Sequence, residues 1–191
     1  MFLHTTYLGV RTININGIND NHTKNDSMTT QQALAYFDCL EPVPTELMIG
    51  RWRGEGIDTA HPMDGLLEAS SWHGKVFENA EAVHPLVHTG VFGGKFHVNP
   101  ALLPLALASN LPFRKFFIPL LFPLVRPFLS TKKACARLRM TLYRGKVSAT
   151  MQYDAKPIND VFRKIDERTV LGLMDRKGDP QPYFFKLMKE S

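Results

Sequence analysis

Gly50-Arg51-Trp52-Arg53-Gly54-Glu55-Gly56 is the stretch on which the reading of the fold turns. Trp52 alternates with Arg51 and Arg53 at the period of a strand, and glycines stand where a twisted or close-packed strand has no room for a side chain. The run Thr45-Glu46-Leu47-Met48 just before it predicts a single helical turn that delivers the chain to this strand. Trp52 is read in two ways. It is buried packing with its one N–H satisfied, or it is a ligand contact. Arg139 and Arg163 are its candidate cation–π partners.

Downstream of this strand, Pro62 to Ala69 carries apolar residues at helical spacing, with Pro62 suited to a first turn. Residues 74–78, 82–88 and 91–98 read as short strands separated by Asn-Ala-Glu and Thr-Gly turns. From Cys135 onward the alternation is plain. Leu138, Met140 and Leu142 alternate with Arg137, Arg139 and Thr141, and Arg144-Gly145 makes a tight turn. Val147, Ala149, Met151 and Tyr153 then alternate with Ser148, Thr150 and Gln152, and three further strands follow over 158–165, 169–174 and 183–188. This is a five-strand meander, and with the earlier strands the total suits a small closed barrel. Residues 100–127 hold six prolines among Leu, Ala and Phe, which predicts short, kinked helical pieces.

A chain of 191 residues with 44 % hydrophobic and 21 % charged residues fits one globular domain. Its net charge of +5 contains no run of five or six like charges, which argues against nucleic-acid binding. Cys39 and Cys135 sit in no metal-ligand spacing and are expected as reduced thiols, in keeping with a cytoplasmic location. Phe116 to Val125 is uncharged but too short to span a bilayer, so no integral membrane segment is expected. Residues 1–27 show no period that would bury a face and are expected to be a disordered tail or an over-extended start. Order is expected from Met28, with Thr29 or Thr30 capping a helix that Pro42 and Pro44 end.

Gly50-Arg51-Trp52-Arg53-Gly54, His61-Pro62-Met63-Asp64-Gly65-Leu66-Leu67 and Trp72-His73-Gly74-Lys75 together resemble the GXWXG domain. Arg144 to Ala149, Met151-Gln152-Tyr153-Asp154, Pro157-Ile158 and Val170-Leu171-Gly172-Leu173-Met174-Asp175 resemble the domain of unknown function that habitually follows it. The resemblance covers about residues 31–189 and implies two halves of one fold with no established activity. The Gly-x-Trp-x-Gly-x-Gly pattern is also similar to the first strand of lipocalins, fatty-acid-binding proteins and nitrobindin-type haem proteins. That likeness implies a calycin-type barrel with the tryptophan closing one end. Nitrobindin-type proteins bind haem through a late histidine, whereas all seven histidines here lie at or before position 97. No cofactor is expected, and haem ligation by His84, His88 or His97 is the alternative.

Among site candidates, His61, Asp64 and His73 beside Trp72 form the best polar cluster. An imidazole next to a carboxylate could serve general acid–base chemistry, or Asp64 and His61 could simply cap the helix around Pro62. His84-x-x-x-His88 has helical spacing, but Pro85 and its β-branched neighbours place it in a strand, and no metal signature supports it. Tyr153 and Asp154 end a strand where a cavity mouth could form, or make an ordinary Asp-led turn. The Pro-broken stretch, with Phe113 and Phe117, is either a lid over the barrel mouth or helices that complete the core. No serine-hydrolase elbow, phosphate loop or dinucleotide motif is present.

The expectation is a mainly β, calycin- or lipocalin-like antiparallel barrel over residues 28–191, with an N-terminal helix. Its parts are a GXWXG portion at about 31–98, a helical insertion near 100–129 and a meander over 134–190. The expected function is binding of a small hydrophobic or amphipathic ligand, with Trp52, His61, Asp64, Trp72, His73, Tyr153, Phe113 and Phe117 as candidate contacts. The alternative is a small-molecule enzyme built on His61, Asp64 and His73.

Overall fold

The structure, a computed structural model, describes residues 28–90, 92–104 and 114–191; the expected tail lies outside the described residues. The chain opens with α1 (Thr30–Cys39), whose start is set by a capping box. Thr29 Oγ1 accepts from the Gln32 backbone N–H at 3.2 Å, and Gln32 Oε1 accepts from the Thr29 N–H at 2.8 Å. The short strand β1 (Glu41–Pro42) and the turn α2 (Thr45–Met48) lead into β2 (Gly50–Gly56). Then come α3 (Leu66–Ala69), β3 (Trp72–Phe77), β4 (Val83–Thr89) and β5 (Lys95–Val98). A 3-10 turn at Pro100–Leu102, helix α4 (Arg114–Leu129) and β6 (Ser130–Thr131) follow. The meander is β7 (Ala136–Tyr143), β8 (Lys146–Tyr153), β9 (Ile158–Lys164), β10 (Thr169–Arg176) and β11 (Tyr183–Lys189).

Eight of these strands close an antiparallel barrel in the order β2-β3-β4-β7-β8-β9-β10-β11. The last strand returns to the first, with Lys189 opposite Trp52 and Phe185 opposite Gly56. Closure pairs the backbone groups that an open sheet would leave at its edges. The fold is therefore mainly β and calycin-like, and its interior core includes Trp52, Phe77, Leu138, Met151, Phe162 and Phe185. A second, smaller core lies outside the barrel, where α1 sets Ala33 and Phe37 against Val161, Leu171, Leu173 and Phe184. Strand alternation explains the split, because Phe162 points in while its neighbours Val161 and Arg163 point out.

Four sequence expectations change. Arg163 is not the partner of Trp52: it is fully buried in the outer layer, its guanidinium 4.7 Å from the Phe37 ring. Arg139 faces outward and pairs with Glu81 at 2.6 Å. The cation over Trp52 is Lys189, its register partner, with Nζ 5.4 Å from the ring. The helix expected from Pro62 shrinks to α3, because Gly65 at φ +78° breaks the helical path just before it.

Over 114–129 the Pro-rich stretch runs as one continuous helix rather than several short pieces. Pro119, Pro123 and Pro127 recur every four residues, so the missing N–H groups fall along one side. Finally, the apolar face of β7 outruns the barrel: Leu138 is buried, but Met140 is 45 % and Leu142 70 % exposed. No helix among the described residues is long and apolar enough to cross a membrane.

Candidate functional site

The barrel is not filled at one end, and the pairing of β4 shows why. Its first residue, Val83, is paired with Ala136 of β7, but Val87, His88 and Thr89 are paired with β5. The sheet forks at this seam, and the insertion between β4 and β7 packs over the opening. Beneath it lies a partly enclosed cavity of about 180 Å³. Its floor and walls come from the barrel, among them Trp72, Lys75, Asp160 and Phe185, and α3 adds Leu66 and Leu67. Leu103, Ile118 and Phe122 of the insertion close it from above.

Two residues three apart in one strand should face opposite sides of a sheet, yet Trp72 and Lys75 both line this cavity. The reason is a bulge at Gly74, where the β3–β4 register shifts on both sides of that residue. Only glycine fits there: its φ is +150°, and a Cβ would lie 1.9 Å from the Trp52 carbonyl oxygen. The bulge turns Lys75 inward to meet Asp160, with Nζ 2.8 Å from Oδ2 and 3.2 Å from the Pro85 carbonyl. Both side chains are almost wholly buried, at 3 % and 1 % exposure. Aromatic faces surround the ammonium, with Phe185 at 4.9 Å and Trp72 at 5.6 Å.

Burial pushes the Asp160 carboxyl up, opposed by the Lys75 ammonium and the Tyr153 phenol. Tyr153 is itself pushed well up, by burial first and the Asp160 charge second. His88 lines the same cavity, its Nε2 3.3 Å from Ser70 Oγ and its ring 5.0 Å from that of Phe122. Burial lowers its pKa to about 4, so the ring is neutral. Trp72 Nε1 and Tyr183 OH are buried without a hydrogen-bond partner. An apolar chamber with one buried ion pair and unmatched polar atoms can hold a compact apolar body and read a polar group on it.

Of the residues singled out from the sequence, Trp72 and Tyr153 line the cavity. Trp52 does not reach it; it is a plug whose Nε1 donates to the Met48 carbonyl at 2.7 Å. His61 and Asp64 do meet, but as a turn. Asp64 Oδ2 accepts from the backbone N–H of His61 at 2.7 Å and of Thr59 at 3.0 Å, and His61 Nδ1 accepts from the Met63 N–H at 3.1 Å. Burial raises the Asp64 carboxyl to about 6, with Asp58 adding to the rise.

His73 is elsewhere, its Nε2 2.7 Å from Glu190 Oε1, and none of the three lines the cavity. The expected His61–Asp64–His73 cluster therefore does not form, because β3 turns His73 to the face opposite Trp72. His84 and His97 stack on each other at 3.9 Å outside the cavity. Phe117 lies on α4 but is not a lining residue, and Phe113 falls outside the described residues. No cluster of three or more potential metal ligands is found among the described residues.

Sequence reasoning missed Lys75 and Asp160, and it weighed His88 only as a metal or haem ligand. Asp160 was within reach, since it shares a strand face with Ile158 and Phe162 and is a lone acid on an apolar stripe. Lys75 was not, because simple alternation puts it on the face opposite Trp72.

Two family models match the chain: "GXWXG protein" over residues 35–93 and "Domain of unknown function (DUF4334)" over residues 134–189. Among solved structures, a protein from Thermomonospora curvata is similar at 30 % identity with a TM-score of 0.66; the alignment covers 87 % of this chain and 90 % of that one. No curated protein matches.

Proposed function

We propose that this chain, which belongs to the family joining a GXWXG segment to the DUF4334 domain, is a binding protein that holds a small amphipathic molecule inside its barrel. The observation that carries this reading is the cavity of about 180 Å³ whose apolar walls enclose the Lys75–Asp160 ion pair. An apolar cavity of about 150 Å³ already takes benzene in another protein, so the space suits a compact body of that order. The unmatched Trp72 Nε1 supplies a donor, and the cavity-lining Asp160 carboxylate an acceptor. A hydroxyl or carbonyl on the ligand would meet a group whose burial is otherwise uncompensated.

Beside the ion pair, the cavity-lining Trp72 Nε1 is buried with no partner, which favours a bound ligand over a purely structural role. Lys75 is engaged by Asp160 and the Pro85 carbonyl, which favours binding over nucleophilic chemistry. Native mass spectrometry of the purified chain, with solvent extraction and identification of the extract, tests the reading. A stoichiometric small molecule bearing an apolar body and one polar group supports it. An empty protein that also takes up no member of a panel of compact alcohols and ketones contradicts it.

A further inference from the structure

Helix α4 has two apolar faces, and the cavity uses only one. Ile118 and Phe122 close the cavity, and the Arg126 guanidinium lies 4.1 Å from the Phe96 ring on the same side of the molecule. Leu120, Leu121, Leu124, Val125 and Phe128 recur at helical spacing on the other side and are 61 %, 50 %, 70 %, 43 % and 80 % exposed. A helix apolar all round is normally buried on all sides. A contiguous exposed apolar face of this kind marks an interaction surface.

Charge points to what the surface meets. Five of the 23 Lys and Arg and none of the 18 Asp and Glu fall within residues 99–134, so this segment carries the whole net charge of +5 and the rest of the chain balances. Lys132 and Lys133 stand exposed just beyond the helix C-terminus. An apolar helical face set among cations, with no acid in the segment, matches the chemistry of an anionic bilayer surface. Apolar side chains there enter the acyl boundary and lysines meet the headgroups. A protein partner would be expected to meet fixed charges of both signs, and a second copy would set two acid-free segments against each other.

We propose that α4 docks the protein on an anionic membrane surface through Leu120, Leu121, Leu124, Val125 and Phe128, with Lys132 and Lys133 at its edge. The docking does not depend on the cavity's being a binding site. If both hold, the helix that closes the cavity also faces the bilayer, which gives an apolar ligand a path that avoids water.

The test is co-sedimentation of the full chain with vesicles of phosphatidylcholine alone and of phosphatidylcholine mixed with phosphatidylglycerol, alongside light scattering without lipid. The expected result is binding to the mixed vesicles that weakens as salt rises. Leu124→Asp and Phe128→Asp, both at exposed positions, abolish it, and Lys132→Glu and Lys133→Glu each weaken it by about fivefold or more. Protein that stays in the supernatant with mixed vesicles overturns the proposal. So does a dimer in solution that Leu124→Asp splits while no vesicle binding is seen, since the face then belongs to a second copy.

Discussion

Gly54 carries no side chain beneath the Trp72 indole, and a Cβ at that position would stand 2.1 Å from ring carbon Cη2. The second glycine of the opening motif therefore works at a distance in sequence: it lets a tryptophan on the next strand come close against β2 and form part of the cavity wall. Gly172 does the same for Phe185, whose ring would come within 2.3 Å of a Cβ there. The motif's own tryptophan closes the barrel, while its glycine shapes the cavity.

Gly54→Ala should thus destabilise the fold by about 3 kcal/mol, the upper range for forced overpacking. Trp72→Phe in the same chain should recover most of the loss, because the clashing atoms belong to the outer ring of the indole. Urea unfolding of the two single variants and the double variant measures this. Equal losses that simply add would show that Gly54 and Trp72 are not coupled.

The Lys75–Asp160 pair makes a second prediction. Removing one partner leaves an uncompensated buried charge, so Lys75→Met should cost about 3–5 kcal/mol. Lys75→Met with Asp160→Leu replaces the pair by apolar side chains and should restore stability to near the parent value. That double variant separates the roles of the pair: it should remain folded yet bind amphipathic ligands more weakly than purely apolar ones.

His88 sets the acid limit of stability. Its folded pKa of about 4 lies below the ordinary value of 6.5, so the unfolded chain binds the extra proton first as pH falls. Its contribution is fully present above pH 6.5 and is lost as pH drops towards 4, a change on the order of 3 kcal/mol. His88→Gln should flatten this slope in denaturant midpoints measured across that window.

Asp64 acts with the opposite sign. Its folded pKa of about 6 lies above the ordinary carboxylate value of 3.8, so the folded chain holds its proton longer and this contribution is lost as pH rises from 4 to 6. Asp64→Asn keeps an oxygen for the Thr59 and His61 N–H groups but does not titrate. Unfolding midpoints of the variant should lack that falling component.

What the sequence revealed was what depends on near neighbours. The helix start capped at Thr29 or Thr30, the turn at Arg144-Gly145 and the order of the meander are each set by residues a few positions apart. The cavity was only half legible. Trp72 could be named as the neighbour of the His61, Asp64 and His73 cluster, and Tyr153 because it ends a strand where a cavity mouth could form. Lys75 could not, because its direction depends on a bulge forced by the approach of the Trp52 carbonyl to Gly74. The fork of β4 between β5 and β7 was hidden for a similar reason: it is a choice of partner for one strand, made by the packing of the insertion over residues 90–135.

The central claim is that the cavity under α4 binds a compact amphipathic molecule, and Trp72 in its wall is a built-in reporter. In a Trp52→Phe background Trp72 is the sole tryptophan, and its emission can be titrated with 1-octanol. The account predicts a saturable one-to-one change that disappears when Leu67→Phe and Leu86→Phe fill the cavity. A linear, non-saturating response, or a saturable one that survives filling the cavity, would contradict it.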